Sequence, residues 1–289
     1  MKKGVYLLMV SLLYSLHCCI AQQTVITCET GDFRVSTLSD GGRDADPSLL
    51  VGATPEILEK CLPNGSFPLH THAFLIHTPD KNILIDAGVG KNLLSKNLPS
   101  LDISVEQIHV ILLTHMHGDH IGGLMRDGKK AFPQAELYVS QAEYDYWMGM
   151  KERGENVRKT LDAYRDKLHL FVPGELGKAT ADLVPGIKPV AAYGHTPGHT
   201  AYLVESAGKK LLVWGDLTHA VAVQMPHPEV ALSFDVNPQQ AVQTRKRILD
   251  YVQKNGIRVA GAHIPFPAVG DIEIGKEGGY GFTPLSASK

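Results

Sequence analysis

Ile111-Leu112-Leu113-Thr114-His115-Met116-His117-Gly118-Asp119-His120 decides how the rest of this 289-residue chain is read. An apolar run ending in four metal-ligand side chains within six residues predicts a buried strand whose last turn opens on a metal site. His115 and His117 flank Met116, so in extended backbone both imidazoles point to one side. Gly118 lets the chain bend and carry Asp119 and His120 to a neighbouring position. Two adjacent ligand sets imply two metal ions. A lone His-x-His pair would carry little weight, because a histidine at a strand end is commonly a hydrogen-bonded core or surface residue. Four candidate ligands this close would repel one another and lose solvation without a cation, which favours a metal centre over a structural role.

Upstream, Ala73–His77 and Ile83–Asp86 alternate as two strands about the turn Thr78-Pro79-Asp80-Lys81-Asn82, a hairpin that leaves Asp86 at a strand end. A carboxylate so placed commonly orients a ligand histidine from behind. His70 and His72 form a second His-x-His pair, but their neighbours read as strand and the ligand count is complete without them. From Gln22 to Gly65 the pattern is mixed, and Ser39-Asp40-Gly41-Gly42 reads as a loop.

Downstream, Ala135–Ser140 predicts a strand, and Gln141–Met150 a helix bearing Tyr144, Tyr146, Trp147, Met148 and Met150. Such a stripe is ordinarily core, with a wall of an apolar pocket as the alternative. A second helix is expected over Val157–Leu170. In Gly194-His195-Thr196-Pro197-Gly198-His199-Thr200 the Thr-Pro-Gly turn is expected to point His199 toward the centre and leave His195 structural. Lys210–Trp214 predicts a strand ending at Asp216 and His219. Asn237-Pro238 caps a helix running to Lys254, and Ile257–Ala262 predicts a strand that delivers His263. The Gly-rich tail from Gly275 to Pro284 is expected to add edge strands.

At 44% hydrophobic and 20% charged, the chain can bury a sizeable core. Its net charge of -2, with no basic run longer than Arg245-Lys246-Arg247, offers no footprint for nucleic acid or an anionic membrane. A small neutral substrate is the expectation. Residues 1–21 read as a secretory signal peptide: Lys2 and Lys3 precede the apolar run Val5–Leu16, and Ala21 suits cleavage before Gln22. A lipid anchor on Cys18 or Cys19 is the alternative, though His17 stands where a small residue is wanted. The expected address is periplasmic or secreted, with no membrane contact beyond export. Cys28 and Cys61 then remain and could pair in an oxidising compartment, but their spacing does not decide it. With no repeat or linker dividing residues 22–289, the pattern predicts one α/β domain of two sheets covered by helices on their outer faces.

The series His115-His117-Asp119-His120, His199, Asp216 in Trp-Gly-Asp, and His263 resembles the metallo-β-lactamase-fold hydrolases with a dinuclear centre. That resemblance implies an αββα sandwich. It implies His115, His117 and His199 at one metal, Asp119, His120 and His263 at the other, and Asp216 bridging them. Mixed imidazole and carboxylate ligation suits two Zn2+, with Mn, Fe or Co as alternatives. A cysteine where Asp216 stands would mark the antibiotic-resistance lactamases, and a glutamate where His117 stands the flavodiiron proteins; neither occurs here. Val223-Gln224 and His263-Ile264-Pro265-Phe266-Pro267 resemble the branch of N-acyl homoserine lactonases and methyl parathion hydrolases. By that resemblance the expected activity is quorum-quenching lactone opening, and the alternative is hydrolysis of an organophosphate triester or aryl ester. A homodimer is implied by resemblance alone. The lactonases carry a tyrosine three residues after the strand-end Asp, and the parathion hydrolases an apolar residue. His219 stands there in this chain, as a candidate donor to the oxyanion beside Asp119 and Asp216 as proton carriers.

Overall fold

The computed structural model describes residues 24–276 and 278–286. The expected signal peptide and Cys18 and Cys19 lie outside the described residues. Seven strands form one sheet in chain order: Val25–Thr30, Phe33–Ala45, Phe67–His77, Asn82–Ile85, Val110–Leu112, Glu136–Ser140 and Leu168–Phe171. The first four pair antiparallel and the rest join in parallel. The second sheet holds Ile187–Ala191, Thr200–Ser206, Lys209–Val213, Arg258–Ala260, Val269–Ile274 and Tyr280–Pro284.

The central strands of the first sheet are apolar throughout because both their faces are buried. Phe74 and Ile76, Ile83 and Ile85, and Val110 and Leu112 pack toward Tyr202, Val204, Leu211 and Val213 of the second sheet. The alternate residues Ala73, Leu75, Leu84 and Ile111 face a separate cluster holding Trp147, Val157 and Leu161. Among the described residues six α-helices stand beside the sheets: α1 (Pro55–Cys61), α2 (Gly118–Ile121), α3 (Gln141–Gly149), α4 (Glu155–Ala163), α5 (Val221–Gln224) and α6 (Pro238–Lys254). Trp147 of α3 and Val157 and Leu161 of α4 cover the first sheet, and Ile248, Leu249 and Val252 of α6 join the core of the second. This is the αββα arrangement. Asn237 caps α6 through Gln240 N–H at 3.1 Å, with Pro238 in its first turn. Among the described residues no helix is long and apolar enough to cross a membrane.

Two expectations are corrected and one open question is decided. The helix expected over Val157–Leu170 ends at Ala163, where buried Tyr164 donates its hydroxyl to Leu124 O at 2.9 Å. Leu168–Phe171 then adds as an edge strand parallel to Glu136–Ser140, so ladder pairing overrides helical spacing there. Ser39-Asp40-Gly41-Gly42 is not a loop but an irregularity inside the 13-residue strand Phe33–Ala45, where the register shifts between Ser39 and Gly41. No Cys28–Cys61 bridge forms, since Cys28 packs on the inter-sheet core and Cys61 on a separate cluster beside α1.

The shift has a use. It turns the Asp40 carboxylate toward the segment after Asp86, where it accepts from Gly90 N–H at 2.8 Å, Lys91 at 3.3 Å and Leu93 at 3.1 Å, and also from Asn92. Asp40→Ala would leave these amides without their anion, and we expect a loss of about 2–4 kcal/mol at roughly 1.5–3 per charged bond, discounted for rescue by solvent. Urea unfolding measures it; a change below about 0.5 kcal/mol would remove Asp40 from this role.

Candidate metal centre

Strand Asn82–Ile85 and strand Val110–Leu112 lie side by side, so Asp86 and Thr114 emerge together. Asp86 adopts φ 60°, and its carboxylate accepts from Thr114 N–H and Oγ1–H, each at 2.8 Å, and from His120 Nδ1 at 2.7 Å. The last bond fixes the tautomer of His120 and leaves the Nε2 lone pair facing Asp216 Oδ1 at 3.0 Å. Neither of those two buried atoms has a hydrogen-bond partner. Held face to face in a dry interior, these two acceptors call for a cation between them, a proton in the metal-free fold or a metal ion in its place.

A second convergence lies alongside. His117 Nδ1 is 2.9 Å from His115 Nε2 and 3.0 Å from His195 Nε2. Three imidazole nitrogens gathered within ligand-to-ligand distance match three corners of a tetrahedral Zn2+ site. His195 Nδ1 is held by Asp235 Oδ1 at 2.8 Å, repeating the carboxylate-histidine pairing of Asp86 and His120. Asp216 stands between the sets. Its Oδ2 is 3.6 Å from His115 Nε2, 3.2 Å from His195 Nε2 and 2.9 Å from His263 Nε2. Asp119 Oδ2 lies 3.5 Å from His263 Nε2 and 3.8 Å from His120 Nε2. His115, His117, His195 and Asp216 thus form one group able to hold an ion, and Asp119, His120 and His263 another.

His199 is the correction. It is fully buried, its Nδ1 donating to Ala192 O at 2.9 Å and its Nε2 accepting from Asp216 N–H at 3.0 Å. Both nitrogens are spent on backbone, so His199 props the Asp216 turn and His195 takes the inward place. His72 is also structural: it is buried, with Nε2 2.9 Å from Ile264 O. His219 does reach the centre. Its Nε2 is 3.1 Å from Asp216 Oδ2, its ring stacks on His263 at 4.5 Å, and its Nδ1 is buried without a partner. Asp216, His219 and His263 also lie close enough to share an ion.

The charges follow from this crowding. Burial, then the neighbouring His195, holds His117 down to about 3, and burial, then His263, takes His219 to about 4. Burial also pulls on His195, but its bonds to Asp216 and Asp235 prevail and raise it to about 9. For Asp216 burial opposes ionisation, yet His120, His263, His115 and His219 hold it well below the carboxylate range. His115, His117 and His219 are therefore held neutral, while His195, His120 and His263 are shifted toward their protonated forms, and a divalent ion would have to displace those protons.

Sequence reading missed two further groups. Asp235 carries no local signal. Glu143 sits in the aromatic stripe of α3 and is 1% exposed, while Asp145 two residues on is exposed, and nothing local says which carboxylate turns inward. That stripe divides, with Tyr146, Trp147 and Met150 lining the cavity above the centre and Tyr144 and Met148 directed elsewhere. The cavity holds about 880 Å3, with His117, Asp119, His195, Asp216, His219 and His263 on its floor.

The Metallo-beta-lactamase superfamily profile matches residues 67–263, and the chain belongs to that superfamily. Its site is that of a metal-dependent hydrolase binding divalent ions. Among solved structures it is similar to AidC, a dizinc quorum-quenching lactonase in complex with a product, at 26% identity and TM-score 0.82 over 92% of this chain and 98% of AidC. It is also similar to the hydrolase AbOPH of the beta-lactamase superfamily, at 30% identity and TM-score 0.81 over 92% of this chain and 99% of AbOPH. N-acyl homoserine lactonase AttM of Agrobacterium fabrum is 26% identical over 186 residues, 58% of this chain and 62% of AttM. The chain spans between 19% and 62% of the length of six curated relatives it matches.

Proposed function

We propose that this site opens the lactone ring of N-acyl homoserine lactones with two Zn2+ bound, His115, His117 and His195 holding one ion, Asp119, His120 and His263 the other, and Asp216 shared. The observation that carries the reading is the cavity: a polar floor of converging ligands lies beneath walls that include Tyr146, Trp147, Met150, Val89 and Phe234. Those walls suit an acyl chain over a reacting carbonyl better than a phosphorylated metabolite. Similarity to AidC and AttM supports the same substrate class.

When bound, the ions supply activated water at neutral pH and polarise the carbonyl under attack. The chain supplies the rest. His219 Nε2 lies 3.1 Å from Asp216 Oδ2 on the cavity floor, and in the Nε2–H tautomer that N–H would turn from Asp216 to the oxyanion that forms as water adds to the lactone carbon. The carbon–ring-oxygen bond then breaks and the ring oxygen leaves as an alkoxide. Asp119, whose side chain is 34% exposed at the cavity floor, takes the proton that the attacking water sheds and passes it to that alkoxide; Asp216 at 3% is the more enclosed carrier. We also infer export, from the basic, apolar and small-residue sequence of residues 1–21. Intact mass of protein recovered from the periplasm or medium tests it, and a retained Met1 or a lipid on Cys18 or Cys19 would contradict it.

The deciding measurement compares kcat/KM for hexanoyl and decanoyl homoserine lactones with that for methyl paraoxon, using the zinc-loaded full chain. Lactone turnover should be the faster, and a higher phosphotriester rate would transfer the site to the alternative chemistry. His219→Phe should lower lactone kcat about 10²- to 10³-fold, as for loss of one oxyanion donor. An unchanged rate would leave the reaction standing and take His219 out of it.

A further inference from the structure

Glu143 is almost wholly buried, is not a candidate ligand, and yet touches both arms of the three-imidazole set. Its Oε1 accepts from Met116 N–H at 3.0 Å and from Trp147 Nε1–H at 2.6 Å. Its Oε2 accepts from Thr196 Oγ1–H at 2.6 Å and from Gly198 N–H at 3.1 Å. Met116 separates the ligand candidates His115 and His117, and Thr196 adjoins His195. The indole that Glu143 holds stands edge-on to His117, with ring centroids 5.7 Å apart at 87°. Ser140, the N-cap of the same helix, accepts from Glu143 N–H at 3.3 Å and donates to Gly198 O at 2.7 Å. A Cβ at Gly198 would stand 2.1 Å from Glu143 N, so glycine alone lets the helix end come this close.

A carboxylate accepts and never donates when ionised, and here four donors saturate both oxygens. Two of those donors belong to the loop 115–117 and the helix against it, and two belong to the turn 195–199, which lies about 80 residues further along the chain. We propose that Glu143 is a positioning residue that sets the gap between His115–His117 and His195, and through it the affinity of the three-imidazole site for its ion, leaving the Asp119, His120 and His263 site largely untouched. The proposal rests on the two-ion reading above. It goes beyond that reading by giving one ion a control that the other lacks, since His120 is oriented by Asp86 instead.

Glutamine tests this sharply because it fills the same volume. Either orientation of its amide sets an NH2 against a fixed N–H, of Gly198 on one side or of Met116 and Trp147 on the other. Metal-free full chain, wild type and Glu143→Gln, is titrated with Zn2+ in competition with a chromophoric chelator. We expect two binding steps in wild type and a loss of about 10- to 100-fold in one of them in Glu143→Gln, the range for removing a group that orients a ligand. The other step should move by less than about threefold, and Thr196→Val, which deletes one of the four donors, should shift the same step by less. Equal weakening of both steps, with an equal fall in melting temperature of metal-free and loaded protein, would reduce Glu143 to a packing role. Two unaltered steps would overturn the proposal outright. If Glu143→Gln yields no folded protein, Thr196→Val reads the same quantity, and unaltered steps there overturn it too. Selective weakening together with slow lactone turnover in wild type would sustain the role of Glu143 while removing the substrate.

Discussion

Replacing Asp216 by alanine is expected to lower lactone kcat/KM by at least about 10³-fold, because a group that merely orients one ligand is already worth 10- to 100-fold and Asp216 faces both sites directly. Its Oδ2 stands 2.9 Å from His263 Nε2 and 3.2 Å from His195 Nε2, while Oδ1 stands 3.0 Å from His120 Nε2. With both ions bound, removing the carboxylate would take away the anion that the two sites share and leave the ions' mutual repulsion unscreened in a buried site. Asp216→Asn keeps the shape and one oxygen but loses the charge, so it should fall between wild type and alanine. Metal analysis alongside kinetics checks the origin: the alanine variant should retain fewer than two ions per chain. Two retained ions with activity within tenfold of wild type would mean that Asp216 is not shared.

How much of this was legible in the sequence depended on how far apart the partners lie. His115, His117, Asp119 and His120 share one turn after an apolar strand, and Asp216 and His263 likewise end apolar strands, so their clustering follows from strand pattern alone. His195 and His199 share one short motif, and nothing local says which imidazole turns inward. The choice is made from outside it, by Asp235 accepting from His195 and by Asp216 N–H donating to His199. Asp40 and Glu143 were unreadable for the same reason. Asp40 binds amides about 50 residues away, and Glu143 binds backbone on two loops that sequence separates and the fold joins. The strand Phe33–Ala45 was hidden by Gly41 and Gly42, which mark turns elsewhere and here mark an irregularity in a strand.

Stripping the ions with a chelator is expected to abolish activity and to cost stability by about 4 kcal/mol per ion present at 1,000 times its dissociation constant, and this cost should grow with pH. The sign follows from what replaces the ions. In the metal-free fold burial pulls His195 down, but the hydrogen bonds it donates to Asp216 and Asp235 outweigh it and raise it to about 9. His120 is likewise lifted well above the ordinary value against its burial, chiefly by Asp216 and Asp86, and His263 is raised by Asp216. A folded value above the ordinary 6.5 means that the proton stabilises the metal-free protein fully below about 6.5, and that this contribution is lost as pH rises through the folded value, about 9 for His195. Ion binding runs the other way, because ligands must shed those protons first and do so more readily as pH rises. The melting temperatures of loaded and chelated protein should therefore diverge steadily between about pH 6.5 and 9. Zinc added to metal-free protein near pH 7.5 should release protons into a weakly buffered solution. A gap that stays constant or narrows over that range, or binding without proton release, would mean that His120, His195 and His263 do not exchange a proton for an ion.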